Sequence, residues 1–187
     1  MSVSPKLLAR LQFLAQVVNR ETTHLRQTDQ RLFAARFGIE DAKRLAEDAE
    51  LAERVDAFVS RFGRLQDTVG DKLLPVWRQA VGETPGAMVD NLDRAERLPL
   101  LVSAETWLTL RQLRNQMVHD YIEDPVILAS ALQSAHENLH VITDAASALM
   151  SDLRRRGIDL ATGWPPRGRQ GSLPHDVRAR VREKNGA

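Results

Sequence analysis

Arg114, Asn115, His119 and Tyr121 stand within one twelve-residue stretch, Leu110 to Tyr121, and are of types that do chemistry. Histidine, with a reference pKa near 6.5, takes or delivers a proton close to neutral pH. Arginine is a permanent cation that can hold an anion but cannot neutralise itself by losing a proton. At about 100° per residue, Trp107, Leu110, Leu113, Met117 and Val118 share one arc of a helix, the buried stripe of a bundle. Arg114 and Tyr121 fall inside that arc, so the guanidinium must find partners or line a polar cavity. Asn115 and His119 are an i, i+4 pair on the adjoining face. Arg114 and His119 are about 140° apart and do not face each other on one ideal helix.

The pattern Arg114-Asn115-x-x-x-His119-x-Tyr121 resembles the Arg-x4-His-x-Tyr signature of HEPN-domain proteins, and specifically of the HepT toxins paired with minimal nucleotidyltransferase antitoxins. The segment Val55 to Leu74 is similar to the long helix that precedes the motif in that family, and the resemblance extends over roughly residues 40 to 150. It implies an all-α, HEPN-type antiparallel helical bundle. It implies a metal-independent endoribonuclease toxin, acting on single-stranded RNA as a homodimer and without cofactor. In that chemistry His119 moves the proton of the ribose 2′-hydroxyl or of the leaving 5′-oxygen, and Arg114 clamps the scissile phosphate. Asn115 supports them by fixing the His119 tautomer or binding a phosphate oxygen. The products expected are a 2′,3′-cyclic phosphate and a 5′-hydroxyl. A two-fold axis would let Arg114 of one subunit meet His119 of the other. The resemblance further implies that a partner nucleotidyltransferase places AMP on Tyr121 and blocks the site.

Two other readings stay open. Arg114 can be a structural cation bridged to Asp120, Glu123 or an acid of the long preceding helix, with His119 capping or half-exposed and Tyr121 packed on Met117. The same residues also suit a non-catalytic HEPN module that binds nucleotide or presents substrate to the transferase.

The chain of 187 residues is long enough for one domain with a proper core. It is 43% hydrophobic, 27% charged and 5% aromatic, a balance that suits a Leu/Ala/Arg-rich helical protein better than a sheet protein. It has no cysteine, which removes disulfides, thiolate nucleophiles and Cys-ligated zinc. No apolar run approaches the roughly 20 residues needed to cross a bilayer, and Met-Ser-Val-Ser-Pro-Lys opens no signal peptide, so the expected location is cytoplasmic. The net charge of +1 divides unevenly: from Ser151 onward nine Lys/Arg face four Asp/Glu, leaving 17 against 21 before it.

The expected organisation is a helical domain over 1–153, with an N-terminal helix over 1–37 and a core bundle over 39–150, then a basic, flexible tail over 154–187. Ser4-Pro5 opens the first helix and Gly38 stops it. A long helix then runs from Ile39 to Leu74, where Gly63 and Gly70 mark close packing or a kink and Pro75 breaks or bends the chain. Asp67 and Asp71, one turn apart, read as a solvated face rather than a metal pair. Ala87 to Glu96 form a short helix with Met88, Leu92 and Ala95 as its apolar face, and Ser103 caps the motif helix. One last helix starts at Pro125 and ends at Arg154-Arg155-Arg156-Gly157. His136 and His140, at i, i+4 on it, have zinc-ligand spacing but read as an exposed or interfacial pair. The tail either solubilises the chain or attracts RNA phosphates without reading sequence.

Overall fold

The computed structural model describes residues 3–119 and 124–160, with the side chains of Val118 and His119 outside the description. The described residues contain helices and no strand. The elements are α1 (Pro5–Leu32), α2 (Ile39–Arg44), α3 (Ala49–Asp67), a π-helical turn (Thr68–Leu73), α4 (Leu74–Ala80), α5 (Met88–Arg97), α6 (Ala104–His119), α7 (Pro125–Glu137) and α8 (Leu139–Arg155). None is long and apolar enough to cross a membrane.

Three of the continuous helices expected from periodicity are interrupted. The first ends at Leu32, not Phe37, because Phe33 and Phe37 turn inward. Phe33 meets Phe58 edge-on at 5.2 Å and stacks on His136 at 4.1 Å, while the His136 Nδ1 hydrogen bonds Asp29 Oδ1 at 2.7 Å. Gly38 then opens α2 instead of closing α1, its N–H donating to Asp41 Oδ2 at 2.9 Å. Asp48 starts a fresh helix by accepting from the Leu51 N–H at 3.0 Å, which separates α2 from α3. Asn138 divides the last helix, since its own amide competes for the Ser134 carbonyl at 2.9 Å. Periodicity reports which face is buried, and a turn that preserves the face leaves no gap in it.

Pro75, by contrast, interrupts nothing. It lies just past the π turn, and the chain runs helically from Ala49 to Ala80 through that turn.

α8 is the central element, with ten of its 17 residues buried. Its Asp152 carboxylate is buried and accepts from Trp77 Nε1 (2.9 Å), Arg155 Nη2 (2.6 Å) and Arg156 Nε (2.7 Å), tying α8 to α4. The helix closes as Gly157 takes φ +80°, with the Ile158 N–H on the Leu153 carbonyl and the Gly157 N–H on that of Arg154. Ile158 and Leu160 beyond it pack back onto the body. The N-terminal helix is equally integral, burying Leu11, Leu14, Ala15, Val18, Leu25 and Leu32 in the same core.

Candidate active site

α6 lies antiparallel on α3 and the π turn, and glycines make the approach possible. A Cβ on Gly63 would stand 2.5 Å from Arg114 Nε, and one on Gly70 would stand 3.0 Å from Trp107 Cζ2. A side chain at Gly70 would press on the indole and hold the helices apart, and one at Gly63 would have to displace the Arg114 side chain. The reading of these glycines as close-packing positions therefore holds. Between them Gln66, fully buried, donates from Nε2 to the Trp107 carbonyl at 3.2 Å. Gly63, Gln66, Asp67, Gly70 and Asp71 thus form the face on which α6 rests. Trp107, Leu110 and Met117 are buried on α6, as the apolar arc requires.

Arg114 has found the partner its position demanded. Its Nη1 donates to Asp67 Oδ1 at 3.1 Å, and the side chain lies across Gly63. Arg111, one turn earlier, is gripped differently: Nη1 and Nη2 meet Asp71 Oδ1 and Oδ2, each at 3.2 Å, and Nη1 also meets Met88 Sδ at 3.0 Å. Asp67 and Asp71 are therefore ion-paired across the helix interface while still reaching solvent, Asp71 being exposed and Asp67 half-buried. The two arginines divide the work. Arg111 makes three hydrogen bonds, two of them in a bidentate clamp, whereas Arg114 makes one among the described residues; the two side chains are equally exposed, at 31% and 32%. A half-exposed guanidinium with free N–H groups can take an oxyanion in addition to Asp67.

Asn115 is exposed on the same helix, away from this interface. The backbone of α6 runs to His119, while the His119 side chain and all of Tyr121, as well as Asp120 and Glu123, lie outside the described residues. So does the Pro/Gly-rich and basic tail from 161 to 187.

Glu21, on α1, is a participant that the motif gave no reason to expect. Burial pushes its carboxyl up from the ordinary range; Thr68, Arg64 and Lys72 pull the other way, and Asp67 adds to the rise. The signal for this neighbourhood was present in Gly63-x-x-x-Asp67-x-x-Gly70, a small-acid-small stripe on one helix face. What the stripe could not give was the helix it faces.

The histidine pair separates. His136 is held by Asp29 and Phe33, whereas His140 is exposed with its Nδ1 on the Glu137 carbonyl at 3.0 Å. Among the described residues, no three His, Asp or Glu side chains are placed to hold a metal ion. Two larger clefts lie elsewhere. One, of about 420 Å3, is between the start of α2 and α7, and the other, of about 370 Å3, is between α6 and the α7–α8 bend. Neither is lined by Arg114.

No family model, no curated protein and no solved structure matches this chain.

Proposed function

We propose that the protein is a metal-independent endoribonuclease toxin that cleaves single-stranded RNA through Arg114 and His119. The observation that carries the reading is Arg114 itself: a cation seated on Gly63, oriented by a single bond to Asp67, with further donors to offer. Asp67 fixes the direction of the side chain without saturating it, which suits a group that must meet a phosphate in a defined geometry. An open helix face also admits a strand, which an enclosed pocket would not.

His119 follows on the same helix and supplies an imidazole, the side chain suited to taking and delivering a proton. In the cleavage it takes the proton from the 2′-hydroxyl, or protonates the 5′-oxygen as the phosphorus–oxygen bond breaks. The 2′-oxygen displaces the 5′-oxygen, giving a 2′,3′-cyclic phosphate and a 5′-hydroxyl, with no metal in the balance. Asn115 orients the imidazole. A homodimer that apposes two α6 helices brings Arg114 of one copy to His119 of the other. A nucleotidyltransferase partner silences the site by adding AMP to Tyr121, setting bulk and negative charge beside Arg114.

The test is cleavage of single-stranded RNA by the unmodified protein in EDTA, beside His119→Ala and Arg114→Ala. Cyclic phosphate ends that form in EDTA and vanish in both variants support the reading. Intact RNA with wild-type protein, or equal cleavage by His119→Ala, overturns it. In that event a non-catalytic module that binds nucleotide through the same arginine and tyrosine takes its place.

A further inference from the structure

α1 and α3 run antiparallel, and Glu21 in their seam lies near Asp67, the partner of Arg114. Arg61 of α3 donates to the Thr28 hydroxyl and to the His24 carbonyl (3.3 Å) on α1, while Glu21 lies opposite Thr68. On the side of this seam formed by α3 and the π turn stand Arg61, Arg64 and Lys72. Arg61 is bonded to neutral oxygens only, and Arg64 has one exposed bond, to Ser60 Oγ at 3.3 Å. Lys72 is exposed and has no hydrogen bond or ion pair among the described residues. None of the three is ion-paired with a carboxylate, as is true of several other basic residues among those described; what sets Arg64 and Lys72 apart is that both lie close enough to act on Glu21, beside the Asp67 that holds Arg114. Glu21 stands beside Arg64 and Lys72 without a hydrogen bond to either; burial pushes its carboxyl up from the ordinary range, and the two cations pull it back down. Arg64 precedes Asp67 by one turn, and Asp67 holds Arg114, so the row of cations leads to the proposed site.

We propose that Arg61, Arg64 and Lys72 form a phosphate track along the α1–α3 seam that carries a single-stranded RNA towards Arg114. The proposal rests on the ribonuclease reading and names where the strand lies. Arg64 and Lys72 are separated by the end of α3 and most of the π turn, roughly 10 Å along the axis because a π turn rises less per residue than the about 1.5 Å of an α-helix, a span of one to two nucleotide steps. The contacts are ionic, so the track holds backbone without reading sequence, and binding must weaken with salt.

The experiment measures binding of a fluorescein-labelled, 2′-O-methyl single-stranded RNA, which lacks the attacking hydroxyl, to the full chain across a salt series. Arg64→Ala/Lys72→Ala is compared with Lys43→Ala/Arg97→Ala, which removes equal charge from α2 and α5, and with Glu21→Gln. Circular dichroism establishes that each variant folds. The seam double should bind at least about tenfold more weakly, with a salt slope lower by about 1.4, since each phosphate neutralised on a single strand adds roughly 0.7. The control double should bind as wild type does, and Glu21→Gln should bind more tightly at pH 7. A seam double that binds like wild type, a control double that weakens as much, or a wild type that binds no RNA overturns the track. RNA held through the seam but never cut leaves the track standing and removes the ribonuclease, so the two failures are distinct.

Discussion

A Cβ on Gly63 would meet only the Arg114 side chain at close range, which makes Gly63→Ala an unusual helix substitution. Alanine improves helix propensity by up to about 1 kcal/mol, and a long flexible side chain can swing aside to admit it. The cation would then lose its seat on Asp67 while the fold keeps its strength. Urea unfolding should show stability equal to or above wild type, and the RNA cleavage that depends on Arg114 should fall at least about tenfold. Equal cleavage with the alanine in place would show that the orientation of Arg114 is immaterial. Glu21 gives a pH signature at the same scale. Its carboxyl is raised in the fold, so folding favours the protonated form, and ionisation costs stability as pH climbs past the unfolded glutamate value of about 4.3. Glu21→Gln should therefore be more stable than wild type at pH 7, with the gap closing below about pH 4. A pH-independent difference would point to packing instead of charge.

Between elements, the firmest polar junction is Asp152, where α8 receives the indole N–H of α4 and two of its own terminal arginines. Burial alone would raise this carboxyl; the bonds from Arg156, Trp77 and Arg155 outweigh it and hold it below the ordinary aspartate value. Its contribution is present above the unfolded aspartate value of about 3.9 and disappears as pH falls through the lower folded one. Asp152→Ala leaves the Trp77 N–H buried without an acceptor and should cost about 2–3 kcal/mol in urea unfolding at pH 7. Below the folded pKa the difference from wild type should shrink. A loss under about 0.5 kcal/mol at pH 7 would mean that the junction is dispensable. The π turn is the other element-scale device. It brings Gly70 under the Trp107 ring, and Asp67 and Asp71 flank that contact opposite Arg114 and Arg111.

For the molecule as a whole, α1 is structural material and not an appendage. It supplies six apolar residues to the one core, and its far end is clasped by His136 and Phe58. Removing residues 1–37 would uncover α3 and the π turn along their length. The truncated chain should show a molten, uncooperative transition in circular dichroism and urea. A cooperative transition of similar midpoint would mean that residues 39 onward fold alone. On the proposed track the same helix has a second use, as one wall of the seam along which Arg61, Arg64 and Lys72 stand.

The helical class, the buried face of each helix, the caps at Ser4, Ser103 and Gly157, and the need of Arg114 for a partner were all legible in the sequence, because each depends on local spacing or on one residue's desolvation. The breaks at Leu32, Asp48 and Asn138 were not, since a turn that keeps the same face buried leaves the apolar period intact. An acid of the preceding helix was among the partners legible for Arg114, but not which one: Asp67 stands 47 positions away in the chain. That pairing exists because two glycines let α6 approach and a π turn sets the register, and only the packing of one helix on another decides such a contact.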